Sequence, residues 1–261
     1  MSELKNTTRI DINCDMGEGI GNDASLMPFI SSANIACGYH AGNNEIINKT
    51  VDLAIQHRVA IGAHPSFPDK ENFGRKEMQM KAPEIYKMVT EQIKILAEIT
   101  WSKGTTLHHV KPHGALYNMA ARDIEISKII AQAVNDFDKK LILVGLSRSY
   151  SISEAKKIGL KTASEVFADR TYQDDGSLTP RSETNALIGN PDDAVQQVLQ
   201  MVKEGMVTTI SGKKISIVAE TICIHGDGKN AIIFARVINK ALQKEKIKIC
   251  SIGNKSGAGN E

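Results

Sequence analysis

Long apolar runs are missing from this sequence. None reaches the roughly 18 residues of a transmembrane helix, so no membrane span is expected. Met1 to Arg9 holds no apolar stretch either, and no secretory signal is expected from it. Cysteine is sparse: Cys14, Cys37, Cys223 and Cys250 form no C-x-x-C pair, and three of them lie in apolar, strand-like segments. The expectation is reduced thiols in a cytoplasmic protein. Neither sign of charge is in excess, with 32 Lys and Arg against 30 Asp and Glu, a net +2. That balance argues against a nucleic-acid binder, which carries a concentrated basic face. It leaves room for a small anion held by one or two arginines.

Several reaction classes lose their usual signatures. There is no H-E-x-x-H and no EF-hand loop. There is no G-x-S-x-G elbow, which argues against a serine esterase of the α/β-hydrolase type. No G-x-x-x-x-G-K-[ST] follows a strand and no G-x-G-x-x-G opens a helix. Gly17-Glu-Gly-Ile-Gly21 is glycine-rich, but Glu18 in its middle would repel a phosphate. Its simpler role is a tight turn that presents Asp15 and Glu18. Gly226-Asp227-Gly228-Lys229, ahead of a helix, is a weak anion-cradle signal.

What is present is an ordinary globular composition, 41% apolar and 24% charged over 261 residues. Short β-branched runs alternate with amphipathic segments. Strands are expected near 9–14, 33–37, 59–63, 106–111, 140–144, 161–166 and 220–225. Most look like parallel strands covered on both faces. Helices are expected over 43–57, 82–102, 123–137, 151–158, 194–203 and 229–243. Asp123 and Asn190-Pro191 supply strong start signals. Residues 207–218 read as a hairpin around Ser211-Gly212. Residues 65–81 form a long polar connection of the kind that often serves as a lid. The pattern is an α/β fold, one domain over 1–249, with a Gly/Ser/Asn-rich tail at 250–261 expected to be disordered.

The informative feature is position. Nearly every strand run leads into polar residues at its carboxyl end, where parallel barrels build their sites. The first leads to Asp11, Asn13, Asp15 and Glu18, the second to His40, the third to His64, and the fourth to Lys111 and His113. The sixth leads to Asp169 and Arg170, and the seventh to His225 and Asp227. One mouth is expected to gather them. Histidines and carboxylates there can serve acid–base work, or can hold a divalent metal, and spacing does not choose between the two. Pro112 pushes Lys111 into an extended conformation and holds the strand end rigid. Arg170 and Arg181 can clamp a carboxylate or pair with Asp169, Asp174 or Asp175. His108 and His109 are left outside the site, one directed to the core and one to a neighbouring helix.

These segments together resemble one family. They are Asp11-Ile-Asn-Cys-Asp-Met-Gly-Glu-Gly19, Ser32-Ala-Asn-Ile-Ala-Cys-Gly-Tyr-His-Ala-Gly42, Ala60-Ile-Gly-Ala-His-Pro65, Phe73-Gly-Arg75, Val110-Lys-Pro-His-Gly-Ala-Leu-Tyr117, Glu165-Val-Phe-Ala-Asp-Arg170, Pro180-Arg-Ser182 and Ile222-Cys-Ile-His-Gly-Asp227. In order and over nearly the whole chain, they resemble the LamB/YcsF family. The resemblance implies a seven-stranded, TIM-like (β/α) barrel of the glycoside hydrolase/deacetylase type. It implies opening of the 5-oxoproline lactam to L-glutamate at the expense of ATP, with partner subunits B and C. ATP would then be a co-substrate handled with the partners, consistent with the missing nucleotide motif.

On that reading Asp15, His64 and His113 are metal ligands or acid–base groups, and His40 belongs with them. Asp11 or Glu18 activates water, and Lys111 stabilises the oxyanion. Arg170, Arg181, His225 and Asp227 bind substrate. Two alternatives remain, a metal-dependent carbohydrate N-deacetylase acting alone and a non-catalytic member of the complex.

Overall fold

The computed structural model describes residues 8–226 and 230–253. In chain order the strands are β1 (Arg9–Met16), β2 (Ser32–Ala36), β3 (Ala60–His64), β4 (His109–Val110), β5 (Ile142–Leu146), β6 (Lys161–Phe167), β7 (Met206–Thr208), β8 (Lys214–Ser216), β9 (Thr221–Ile224) and β10 (Lys248–Ile249). The helices are α1 (Asp23–Leu26), α2 (Asn44–His57), α3 (Ala82–Ser102), α4 (Gly114–Arg122), α5 (Ile124–Asp138), α6 (Tyr150–Lys157), α7 (Pro191–Glu204) and α8 (Ala231–Lys244). Strands β1 to β6 and β9 are all parallel, and β1 pairs with both β2 and β9, so seven strands close a barrel. Strands β7 and β8 form the expected antiparallel hairpin outside it.

The helices start where the local chemistry directs. Asn43 accepts from the Ile46 amide, Asp123 from Glu125 and Ile126, and Asn190 from Asp192 just before Pro191. Helix α4 has no counterpart among the expected helices. It begins two residues after Pro112, is only nine residues long and buries Ala115, Leu116, Tyr117, Met119 and Ala120, so its polar stripe is reduced to Asn118 and Arg122.

The barrel interior differs from the apolar filling expected of strands covered on both faces. Side chains alternate along β1, so Ile10, Ile12, Cys14 and Met16 join the apolar layer under the helices. Asp11, Asn13 and Asp15 bond instead to residues of other strands across the barrel. Strands β2, β6 and β9 contribute Ser32, Asn34, Glu165 and Thr221 to the same network. Gly62 is required there, because a Cβ would collide with the His109 ring, which bonds Asn34 Oδ1 at 2.9 Å.

Two expectations about the chain ends change. Residues 250–253 are ordered parts of the barrel base. Cys250 donates to the Ile10 carbonyl, and Ile252 is buried against Ile142, Val144 and Ala163. His108 contacts this C-terminal segment through the Ile252 backbone. The rest of the expected tail, 254–261, lies outside the described residues.

Asp11 also moves. It lies four residues before Asp15, about 13 Å earlier along the same strand and so deeper in the barrel. It accepts from Ser31 Oγ at 2.6 Å, Ser32 Oγ at 2.8 Å and Thr221 Oγ1 at 2.5 Å. It is therefore a structural group of the barrel base and not the water-activating group at the mouth. Burial outweighs these bonds and raises its pKa from 3.8 to about 6. A carboxyl whose pKa is raised on folding stabilises the fold below pH 3.8, and that contribution is lost as pH rises towards 6. The difference is about 3 kcal/mol. We expect Asp11→Asn to lack this loss: the stability gap between wild type and variant should change by about 2 kcal/mol between pH 4 and 6.5, read by urea unfolding.

Candidate active site

The carboxyl ends of the strands surround a cavity of about 1040 Å³. Asp15, His64, Lys111, His113, Arg170, Arg181 and His225 line it. Of the sequence-expected residues that are described, these seven therefore gather at one mouth, and Asp11 does not. His40 and Glu18 lie behind His113, buried beside the cavity rather than on its wall. Asp227 lies outside the described residues.

Lys111 is the centre of the floor. Its ammonium lies 2.8 Å from Asp15 Oδ1, 2.9 Å from Glu165 Oε1, 3.3 Å from Asn13 Oδ1 and 3.1 Å from Cys223 Sγ. Burial alone would lower its pKa, but Asp15, Cys223 and Glu165 outweigh burial and hold it well above the ordinary lysine value. Four acceptors already surround its three N–H groups, so the oxyanion role expected for Lys111 has no free donor behind it. It stands as the counter-ion of Asp15 and Glu165. Burial would raise Asp15, but His64 and Lys111 outweigh it and keep the carboxyl well below the usual range.

On one side of the floor sits a cluster of rings. Gly17, Gly19 and Gly21 all take positive φ, and the turn they make carries Glu18 inward. His40 stacks on His113 with ring centres 3.9 Å apart, and His40 Nε2 is 3.3 Å from Glu18 Oε1. Loop 65–81 forms the wall here, with Phe73 edge-on to both rings. His64 Nδ1 donates to the Lys111 carbonyl at 2.7 Å, and His113 Nε2 donates to the Phe73 carbonyl at 2.9 Å. Carbonyls only accept, so both tautomers are fixed. The remaining nitrogens, His64 Nε2 and His113 Nδ1, face each other at 2.9 Å. Burial, followed by neighbouring His64, lowers the His40 pKa to about 3, and burial with His64 and His40 holds His113 well below its ordinary value.

Residues able to hold a divalent metal are present. Glu18, His40, His64 and His113 offer donor atoms all within 4.8 Å of one another, and Asp15, Cys223 and His225 form a second such group. The set expected from sequence is thus divided. His64 and His113 stand with Glu18 and His40, while Asp15 commits Oδ1 to Lys111 and Asn34. Only Asp15 Oδ2 approaches the first group, 3.4 Å from His64 Nε2. The second group already holds a cation, the Lys111 ammonium.

Across the cavity stands a carboxylate–histidine pair missed from sequence. His225 Nδ1 donates to Asp169, with its two oxygens at 2.9 and 3.0 Å. Burial opposes the Asp169 charge, but His225 outweighs it and lowers the carboxyl pKa. Asp169 is therefore not the partner of Arg170. Arg170 is 5% exposed and bonds only carbonyls in the contacts seen, Thr179 O at 2.6 Å and Ala186 O at 3.3 Å. Asp174 and Asp175 are engaged elsewhere, with Thr209 and Ser211 and with Ser177. Burial and then nearby Arg181 lower the Arg170 pKa to about 10, which still leaves it charged. Two guanidinium groups thus border the cavity beside His225.

Residues 10–257 match the LamB/YcsF family pattern. The chain belongs to the LamB/YcsF family. It is 50% identical over 249 residues to the A subunit of 5-oxoprolinase from several Staphylococcus aureus strains, covering 94% of this chain and 100% of theirs. The lactam utilization protein of Thermus thermophilus superposes with a TM-score of 0.88 at 41% identity, over 94% of this chain and 100% of that one. A family 4 carbohydrate esterase from Streptomyces lividans shares the barrel at TM-score 0.54 and 13% identity, over 97% and 96% of the two chains. That last likeness concerns the fold alone.

The Asp169–His225 pair fixes which ring nitrogen carries the proton. In the folded wild type we expect a slowly exchanging His225 Nδ1 proton in ¹H–¹⁵N spectra. Asp169→Asn should remove this signal and shift the ring towards the other tautomer, with the melting temperature changed by no more than a few degrees.

Proposed function

We propose that this chain is the ring-opening component of an ATP-dependent 5-oxoprolinase, converting 5-oxo-L-proline and water to L-glutamate. The observation that carries this reading is the polarised mouth, with a pair of arginines beside an oriented histidine and a lone-pair-rich histidine cluster opposite. The names of its relatives supply the substrate, and family membership connects them to this chain.

Arg170 and Arg181 hold the ring carboxylate. That places the lactam carbonyl towards Asp15, His64 and His113. A divalent ion held by the histidine cluster would supply hydroxide near neutral pH. The attacking water adds across the carbonyl, and the C–N bond then breaks. His225 presents a bare Nε2 to the cavity because Asp169 holds Nδ1–H, so it is placed to take a proton from the attacking water and then pass it to the ring nitrogen as the C–N bond breaks. Lys111 keeps Asp15 and Glu165 fixed and charge-balanced during these steps.

A five-membered lactam is an unreactive amide, so coupling its opening to ATP is chemically reasonable. This chain carries no nucleotide motif, and the reading assigns ATP to partner subunits B and C in a multi-subunit complex. The four cysteines are unpaired and no described helix is long and apolar enough to cross a membrane. Both fit the cytoplasmic placement that we propose.

Reconstitution tests the reading. This chain with its partner subunits, 5-oxoproline and ATP should form glutamate, and either component alone should not. In that assay Arg170→Met should raise KM for 5-oxoproline by about tenfold to a hundredfold, since a charge-assisted pair contributes about 1.5–3 kcal/mol. His225→Gln should lower kcat by about a hundredfold or more. Turnover of an N-acetylated sugar by this chain alone would favour the deacetylase reading instead. Full glutamate formation after both substitutions would favour a non-catalytic role in the complex.

A further inference from the structure

We propose that Glu18, His64 and His113 together bind one divalent first-row transition-metal ion, with His40 stacked behind His113, and that Asp15 is not one of its principal ligands. The argument stands on geometry and does not depend on the ring-opening reading.

His64 and His113 each spend one ring nitrogen as a donor to a backbone carbonyl, of Lys111 and of Phe73. Metal-ligating histidines characteristically direct their second nitrogen this way, which fixes the ring and its tautomer. The remaining nitrogens stand 2.9 Å apart in a buried site, a contact that needs either a shared proton or a cation between them. His40 stacks on His113 with nearly parallel planes, so it supports that ring rather than pointing a lone pair at the same ion. It is 1% exposed, and its Nδ1 has no hydrogen-bond partner. Glu18 Oε1 lies 3.3 Å from His40 Nε2 and 3.6 Å from His113 Nδ1.

Two ligands each about 2.0–2.1 Å from a tetrahedral ion stand roughly 3.3 Å apart. The His64–His113 and Glu18–His113 donor spacings of 2.9 and 3.6 Å bracket that value. Two imidazoles and one carboxylate favour zinc, cobalt, nickel or copper over magnesium or calcium, which prefer oxygen. His64 and His113 also line the cavity, so an ion on them would face the solvent-filled mouth on one side. Asp15 is less suited. Lys111 already neutralises it, and only Oδ2 comes near.

The test uses the full chain, stripped with a chelator and titrated with Co²⁺ and Zn²⁺. We expect one ion per chain by calorimetry and elemental analysis, with visible Co²⁺ bands of a nitrogen–oxygen site. Glu18→Gln and His113→Gln should each weaken Co²⁺ binding by about a hundredfold or more, at or above the loss typical of outer partners. Asp15→Asn should change it by less than about threefold. Melting temperatures of the metal-free variants separate ligand loss from unfolding. Should His113→Gln not fold, Glu18→Gln, on a turn, carries the same comparison. No stoichiometric ion on the wild type overturns the proposal. So does a site that persists in Glu18→Gln but disappears in Asp15→Asn, which would place the ion on the other donor group.

Discussion

An ammonium group buried inside a barrel has to be matched there, and Lys111 is matched on every side. Asp15 and Glu165 supply opposite charge, and Asn13 and Cys223 complete its surroundings. Removing one partner of such a buried pair typically costs about 3–5 kcal/mol, because the other charge is left uncompensated. The consequences spread in both directions. Upwards, Lys111 fixes Oδ1 of Asp15 and so decides that Oδ2 faces His64. Downwards, Asn13 passes the order to Glu165 and Thr221, and Thr221 to Asp11. The mouth and the base of the barrel are therefore parts of a single polar column.

The column supports a mouth with two unlike sides. The histidine side holds lone pairs and carboxylates, while the opposite side holds two guanidinium groups and an oriented imidazole. A ligand with a carboxylate at one end and a reactive carbonyl at the other meets only one favourable orientation in such a field. Preorganised charge of this kind needs no rearrangement at the moment of reaction.

Much of this was legible in the sequence, for physical reasons. Helix starts at Asn43, Asp123 and Asn190 follow from side chains that accept backbone amides. The rule that parallel strands deliver function at their carboxyl ends located Asp15, His64, Lys111, His113, Arg170 and His225. Depth was less legible. Strand β1 runs on to Met16, so Asp11, Asn13 and Asp15 share a face at three different levels. Glu165 was hidden because it precedes the end of its strand and faces inward. Pairings such as Asp169 with His225, 56 residues apart, depend on which strands become neighbours, and local pattern does not encode that. Helix α4 was masked by Pro112 and Gly114, which read as a loop.

Strand β1 has a further consequence, for the order of folding. Its partners on one edge are β9 and β10, formed by residues 221–224 and 248–249. During synthesis that edge stays open while more than two hundred residues follow it, and inward-facing Asp11, Asn13 and Asp15 wait without their cross-barrel partners. The site is thus among the last features to form, since loop closure on that scale must precede it. A nascent chain of this protein exposes an unpaired parallel edge until β9 arrives. The polar face of β1 makes that edge a poor template for joining another chain.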